Sequence, residues 1–182
     1  MKVLRKDIVA AARELFRDKG YAGASMQDLA DVVGLRKASL YVRFPNKEAL
    51  VADVIAMTLD ETFAAIGDDQ KNGKAAYEAV LRAIATTFAD RKRCVALHLA
   101  YGTGEETPLA KASVRSFFAG SRDRLAETIA GKVGLQRARD LATDALARLE
   151  GATIWLVTED DPAPLERALT ASIKELDAAL EP

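Results

Sequence analysis

Cysteine, histidine and tryptophan are nearly absent from this sequence of 182 residues, since each occurs only once. With Cys94 as the lone cysteine, the chain can form no intramolecular disulfide and no cysteine-rich metal site. One cysteine and one histidine, His98, cannot together supply a nucleophile, a base and an orienting group, and no phosphate-binding loop or metal-ligand spacing occurs. We therefore expect no catalytic site, no metal and no cofactor.

Long apolar runs are missing as well. No stretch approaches the roughly 18 uncharged apolar residues that a membrane span needs, and the charged N-terminal turns lack the apolar segment of a signal peptide. The sequence therefore predicts a cytoplasmic protein without a membrane partner. Proline is scarce, at five residues, and alanine is abundant, which favours an all-α fold. The length suffices for one sizeable core, or for a small head joined to a larger body.

Charge is distributed unevenly along the chain. Residues 1–47 contain ten lysines and arginines against five acidic residues, whereas the rest of the chain contains 16 basic and 22 acidic residues. So small a basic excess is, by itself, typical of a solvated surface. A basic head on an acidic body also suits a protein that contacts a polyanion at one end only.

The motif that favours the second interpretation lies in residues 25–50. Ser25 is the expected N-cap of a helix, with Asp28 three residues later as an imperfect capping-box partner. Gly34 then supplies the positive φ of a tight turn, and a short helix follows. Two short helices separated by one glycine indicate a helix-turn-helix, whose second helix enters the major groove of DNA.

The residues after the turn carry a family resemblance. Leu40, Tyr41 and Phe44 form a Leu-Tyr-x-x-Phe block, which a Pro-Asn turn and the Lys-Glu-Ala-Leu helix start of residues 47–50 follow. Over residues 4–57 the chain resembles the DNA-binding domain of TetR-type transcriptional regulators. Two positions depart from that pattern: Arg36 replaces a capping Ser or Thr, and Arg43 replaces the more usual His before Phe44.

The resemblance implies a second helix whose inward side is formed by Leu35 and Leu40 and whose outer side contacts bases and phosphates. Arginine and lysine can donate to guanine edges, and hydroxyl groups can reach bases or phosphates. The candidate DNA-contacting residues share a polar or small side chain in or beside this motif. They are Ser25, Arg36, Lys37, Ala38, Ser39, Tyr41, Arg43 and Lys47.

The predicted domain organisation follows from these patterns. Residues 1–46 form an N-terminal three-helix helix-turn-helix domain, and a linking helix capped by Asn46 spans residues 46–66. Residues 67–182 form a larger helical domain for ligand binding and dimerisation. Hydrophobic spacing predicts five helices there, after a loop at residues 67–73. The first two cover about residues 73–90 and 91–101, and the apolar residues that mark the other three span 114–129, 141–156 and 165–180.

The family habit of holding an inducer between these helices implies a pocket in the body. Its candidate wall residues are aromatic or reactive: Phe63, Tyr77, Phe88, Cys94, His98, Tyr101, Phe117, Phe118 and Trp155. Taken alone, an aromatic residue on an amphipathic helix is more typical of the core than of a ligand pocket. For His98 the simpler interpretation is a core histidine bonded to a backbone carbonyl. Cys94 follows three cations, an environment that favours a thiolate able to sense oxidants or electrophiles, but a buried structural thiol is the preferred interpretation.

The last two helices carry small residues on one side and leucines on the other, a pattern of closely packed helices. The resemblance implies a four-helix interface between two subunits, and an intramolecular core is the alternative. The candidate interface residues are Ala145, Leu149, Ala152, Leu165, Leu169, Ile173 and Leu176.

The sequence thus predicts a homodimeric regulator, more consistent with a repressor than with an activator. It binds palindromic double-stranded operator DNA and is released by a small-molecule effector. The alternatives are an architectural DNA-binding protein without a ligand and, with less support, a small helical enzyme.

Overall fold

The computed structural model describes residues 3–64 and 73–181, which contain helices and connecting turns and no strand. The all-α fold predicted from the sequence is therefore confirmed. In chain order, the helices are α1 (Arg5–Gly23), α2 (Met26–Val33), α3 (Lys37–Arg43), α4 (Lys47–Phe63), α5 (Lys74–Arg91), α6 (Val95–Gly102), α7 (Pro108–Glu127), α8 (Ala130–Val133), α9 (Leu135–Thr158) and α10 (Ala163–Leu180).

Local signals in the sequence determine the helix ends of the N-terminal motif. The capping box is complete, because the Ser25 hydroxyl oxygen accepts from Asp28 N and the Ser25 amide donates to the Asp28 carboxylate, both at 3.0 Å. Gly34 ends α2 with a left-handed φ of 68°. The Asn46 side chain accepts from Ala49 N at 2.9 Å, as predicted. Arg36 precedes α3 without a side-chain cap bond, in agreement with the loss of the capping hydroxyl.

Helix α1 continues further than the sequence predicts. Gly20, the expected terminator, does leave the helical conformation, with φ 67° and ψ −179°. The helical conformation then resumes for three residues, as far as Gly23. Any side chain at Gly20 would be strained by this φ, and its Cβ would lie 3.1 Å from His98 Nε2.

The chain divides into two compact units. The first comprises the residues up to Leu59 together with Val95–Phe118, so that α6 and the first half of α7 join α1 to α4. Helix α6 packs on α1, where His98 Nδ1 lies 2.9 Å from Arg17 O. This histidine bonded to a carbonyl was the simpler sequence-based interpretation. The division differs from the boundary predicted near residue 66, because packing contacts of α6 with α1 cannot be read from local patterns.

The second unit comprises Asp60–Cys94 and the chain from Ala119 onwards. Its core lies between α5, α9 and α10, with α8 packed on α9. The hydroxyl of the fully buried Tyr77 donates to Leu141 O at 3.0 Å, and burial raises the pKa of this phenol. Leu149 and Leu176 are also completely buried here.

Three details differ from the predicted helices. Helix α6 begins at Val95 rather than at residue 91, because Lys92 adopts a left-handed φ of 60° that ends α5. The four-residue α8 lies in a stretch predicted as a stop. Helix α4 is described as far as Phe63, so the predicted extension to Ile66 and the loop at 67–72 lie outside the described residues. None of the helices described has the length and apolar character required to cross a membrane.

Candidate nucleic-acid interface

The outer side of α3 is a continuous exposed surface. Leu40 is fully buried and fixes the helix on its neighbours, whereas Tyr41 is 43% exposed. Within the described part of the chain, the side chains of Arg36, Lys37 and Ser39 make no hydrogen bond and no ion pair, and their donors face solvent. We refer to this surface as the α3 face; its members are Arg36, Lys37, Ala38, Ser39, Tyr41 and Val42.

Val42 was not predicted from the sequence. Its side chain is 87% exposed, and it lies one helical turn from Ala38 and Ser39 on the same side of α3. A β-branched apolar side chain gains nothing from water at such a position. The signal in the sequence was its spacing of three and four residues from predicted contacts, but an apolar side chain lacks the hydrogen-bonding groups that mark a DNA contact.

Lys47 has a different role from the predicted phosphate contact. Its ammonium group donates to Tyr21 O at 2.6 Å and to Ala24 O at 2.9 Å. It also lies 4.1 Å from the centroid of the Tyr21 ring, and burial lowers the pKa of the lysine. The group therefore closes the end of α1 onto the start of α4, because these carbonyls would otherwise lack partners.

Arg43 is likewise directed inward. Its guanidinium donates to Val3 O at 2.8 Å, and its own carbonyl accepts from Arg5 at 3.0 Å. Arg5 in turn bonds to Asp53 at 2.8 Å and stacks over the Phe44 ring at 4.2 Å. Arg43 thus holds the N-terminal segment on the motif, and its guanidinium is not presented beside the α3 face.

Ser25 serves as a cap. Its oxygen accepts from Asp28 N, while its hydroxyl donates to the Asp28 carboxylate at 2.9 Å. These bonds, and Lys19 at 3.4 Å from Asp28, lower the pKa of that carboxyl. A hydroxyl occupied in this way, beside an ionised carboxylate, is poorly suited to a phosphate. Of the eight predicted contacts, the α3 face therefore brings together Arg36, Lys37, Ala38, Ser39 and Tyr41.

The first turn of α4 is tied to the first turn of α7. Glu48 accepts hydrogen bonds from Leu109 N at 2.9 Å and from Ala110 N at 3.0 Å, within the first unit. A carboxylate at a helix N-terminus satisfies free amides and complements the helix dipole. Sequence patterns did not indicate this contact, since Glu48 and Leu109 are 61 residues apart.

The predicted pocket residues differ in exposure: five are buried, two are exposed, and His98 and Phe118 are half-buried. Phe118 is half-buried and packs edge-on against Phe117, with ring centroids 5.3 Å apart. Tyr101 and Trp155 are 85% and 45% exposed, which does not fit a position in an interior wall. Both lie on helices whose sequences are apolar on more than one side, so spacing alone could not orient them. The buried members are Phe63, Tyr77, Phe88, Cys94 and Phe117.

Cys94 has a partner that the sequence did not reveal. Its buried thiol is hydrogen-bonded to Glu150 in the middle of α9. Burial raises the pKa of Glu150 to about 7, although the bond from Cys94 lowers it in part. The second carboxylate oxygen, Oε2, is buried and has no hydrogen-bond partner among the described residues. This environment agrees with the preferred interpretation of a structural thiol better than with an exposed thiolate.

Most of the predicted interface residues are core residues of the second unit. Leu169 and Ile173 are half-buried, whereas the other five are at most 7% exposed and pack among α5, α9 and α10. The opposite side of α9 has the exposed apolar residues, with Ile154 59% and Trp155 45% exposed. We call this surface the outer α9 face; its members are Ala147, Gly151, Ile154 and Trp155.

Residues 3–64 and 73–181 contain no cluster of three or more histidine, cysteine, aspartate or glutamate side chains that could hold a metal ion.

Two family models match the chain. Residues 8–54 match the bacterial regulatory proteins of the tetR family. Residues 74–171 match the C-terminal domain of LmrA/YxaF-like transcriptional regulators. A curated relative, the HTH-type transcriptional repressor KstR2 of Rhodococcus jostii, is 30% identical over 46% of this chain and 40% of its own length. The chain spans 36% and 40% of the first curated relatives that it matches.

Solved structures share the fold over nearly the whole chain. A TetR transcriptional regulator from Legionella pneumophila has a TM-score of 0.83 at 21% identity, covering 96% of this chain and 98% of its own. A cysteine mutant of the TetR-family regulator CifR, solved with double-strand operator DNA, has a TM-score of 0.78 at 18% identity, covering 96% and 97%. At these identities the likeness shows the fold alone.

The fold, the exposed α3 face and the two matches define a helix-turn-helix transcriptional regulator. More narrowly, the chain belongs to the tetR family of bacterial regulatory proteins, with a C-terminal domain of the LmrA/YxaF-like type. The family resemblance read from residues 4–57 is therefore confirmed.

Proposed function

We propose that this protein represses transcription by placing the α3 face in the major groove of an operator, and that a small molecule releases it. The observation that carries the proposal is the exposure of Arg36, Lys37 and Ser39 above a fully buried Leu40. A short helix fixed from behind, with unpaired cationic and hydroxyl donors in front, suits base and phosphate contacts. The similarity to the repressor KstR2 and the fold shared with operator-bound CifR support it.

The operator-binding form is a homodimer that pairs through the outer α9 face. Ile154 and Trp155 form an exposed apolar patch with Ala147 and Gly151, whose small size allows a second helix to approach closely. A two-fold dimer places two recognition helices about 34 to 36 Å apart, or a multiple of it, to match successive major grooves. A palindromic operator follows from that symmetry.

The release step uses the two helices that continue from the first unit into the second along the chain, α4 and α7. Glu48 joins their first turns, so a displacement of either helix changes the position of the other. An effector in the second unit needs only to prefer the arrangement that does not bind DNA, typically by about 1 to 3 kcal/mol.

The test is fluorescence anisotropy with DNA from the region upstream of the protein's own gene and a scrambled duplex as competitor. Wild-type protein should prefer a palindrome in that region. Arg36→Ala should weaken binding, and Lys132→Ala, which removes an exposed cation of α8, should not. Equal affinity for palindromic and scrambled DNA would instead support an architectural DNA-binding protein.

A further inference from the structure

Glu150 is the unusual acid of the second unit. The described ion pairs of this unit lie at its surface, such as those of Glu175 with Arg137 and of Asp160 with Lys92. Glu150 forms none with any described residue; its carboxylate accepts only from the Cys94 thiol, a weak donor. The structure thus leaves Oε2 buried without a partner.

A second polar atom in the same unit shares this property. Ser121 on α7 is only 3% exposed, and its hydroxyl oxygen has no hydrogen-bond partner among the described residues. Buried polar groups in native proteins are nearly always hydrogen-bonded, and an unpaired one costs about 1 to 3 kcal/mol. The second unit has three such atoms among the described residues, Glu150 Oε2, Ser121 Oγ and Arg139 Nε, and of these Arg139 Nε faces a carboxylate, that of Asp123, at 3.2 Å.

Both helices, α7 and α9, also carry buried apolar residues close to these positions in the sequence. Cys94 follows α5, whose Phe88 is 5% exposed, and Leu149, beside Glu150 on α9, is fully buried. Thr153, one turn further along α9, is buried, and its hydroxyl donates to Glu150 O at 2.7 Å, which leaves this hydroxyl no proton for the carboxylate. A carboxylate in such an environment is stabilised most by a cation that also donates hydrogen bonds.

We propose that Glu150 is the polar anchor of the effector site, and that the effector is an amine with an apolar body whose ammonium group donates to the Oε2 atom of Glu150. This inference rests on the proposed function, since it names the chemical class of the molecule that releases the operator. The ammonium group neutralises the buried carboxylate, and the apolar body contacts the aromatic and aliphatic side chains of the unit.

The experiment uses three probes with one apolar body: 4-phenylbutylamine, 4-phenylbutanol and 4-phenylbutyrate. Binding to the full-length protein is measured by thermal shift and by titration calorimetry. The amine should bind at least about tenfold more tightly than the alcohol, and the acid most weakly, because a hydrogen bond to a charged group is worth more than a neutral one. Glu150→Gln should reduce the advantage of the amine to less than about twofold. Glu159→Gln, an exposed acid at the end of α9, should preserve it.

The outcomes separate clearly. The inference is overturned if the wild-type protein binds the amine no better than the alcohol, or does not bind the amine at millimolar concentration. This result needs no variant, so it does not depend on whether the variants fold. An amine preference that survives Glu150→Gln places the cation elsewhere and overturns it as well. Operator binding without any probe is measured separately. Its absence would reject the proposed function, whereas operator binding that is insensitive to a bound amine would reject only the amine as effector.

Discussion

The two units of the molecule are stabilised by different means. In the first unit, polar side chains bond to backbone groups that are distant in the sequence: Lys47 to the end of α1, Arg43 to Val3, Glu48 to the start of α7, and His98 to Arg17 O. In the second unit, α9 and α10 pack through leucine and alanine, and ion pairs lie on the outside. Its buried carboxylate and hydroxyl, on Glu150 and Ser121, have no such backbone partners.

These two kinds of stabilising contact suit the different tasks proposed for the two units. Side-chain bonds to backbone are directional, so they hold short helices in one geometry, as a surface that reads DNA requires. Apolar packing tolerates repacking at small cost, which suits a unit that has to accommodate an effector.

The largest effect is expected at the outer α9 face. Replacing Ile154 and Trp155 together with glutamate places four charges in the proposed two-fold interface. The variant should be monomeric and should lose operator affinity by at least about 100-fold, because two linked half-site contacts become independent. Sedimentation velocity and anisotropy measure the two quantities.

Leu149→Ala is the matched control from the side of α9 that faces the core. It should lower the free energy of unfolding by about 2 to 5 kcal/mol and leave a dimer, because Leu149 is fully buried within one chain. If Leu149→Ala is monomeric, or if the glutamate double variant still sediments as a dimer, the interface contains the residues predicted from the sequence and not the outer α9 face.

Glu150 makes a pH-dependent contribution to stability. Its pKa rises from 4.5 in the unfolded chain to about 7 in the folded protein. Between pH 4.5 and pH 7, Glu150 is protonated in the folded protein and ionised in the unfolded chain. The contribution to stability is therefore complete below pH 4.5 and is lost as the pH rises through 7. The free energy of unfolding should therefore fall by about 3 kcal/mol across this range, relative to Glu150→Gln. Urea titrations at several pH values measure it, and parallel curves for both proteins would contradict it.

The local features of the first unit could be predicted from the sequence. Ser25, Gly34 and Asn46 act on neighbours within four residues, so their roles as caps and turn follow from residue type and spacing alone. The roles of Lys47 and Arg43 could not be predicted. Their partners lie 23 to 40 residues away, and a lysine near a DNA-binding helix has the same sequence signature whether it bonds to a phosphate or to a carbonyl.

Lys37 and Lys47 provide the next test, because both are single cations of the motif with different surroundings. Lys37→Ala should reduce the slope of operator affinity against salt by about one unit and leave stability unchanged. Lys47→Ala should lower the free energy of unfolding by about 1 to 3 kcal/mol, since two carbonyls lose their donor, and should retain the slope. The same slope change in both variants, with unchanged stability, would restore Lys47 as a phosphate contact.

Helix α9 shows a second limit of sequence reasoning. Its last two turns, residues 151–158, contain no charged residue, so spacing alone does not show which side of these turns is buried. Packing against α5 and α10 decides which side is buried, and those contacts are set by chain connections rather than by the pattern on α9. The same limit applies to Tyr101 on α6.

The smallest expected effect concerns Val42, the apolar member of the α3 face. A valine exposed among polar contacts can read the 5-methyl group of thymine, the apolar feature of the major groove. Replacing each thymine of the operator in turn by deoxyuridine removes only that methyl group. Wild-type protein should lose about fourfold in affinity at one position of each half-site, since a buried methyl group contributes about 0.8 kcal/mol. Val42→Ala should bind both duplexes equally, whereas Val32→Ala, which alters an exposed valine on α2, should keep the difference. If no thymine responds, or if Val42→Ala responds as wild type does, the α3 face reads its operator through polar contacts without Val42.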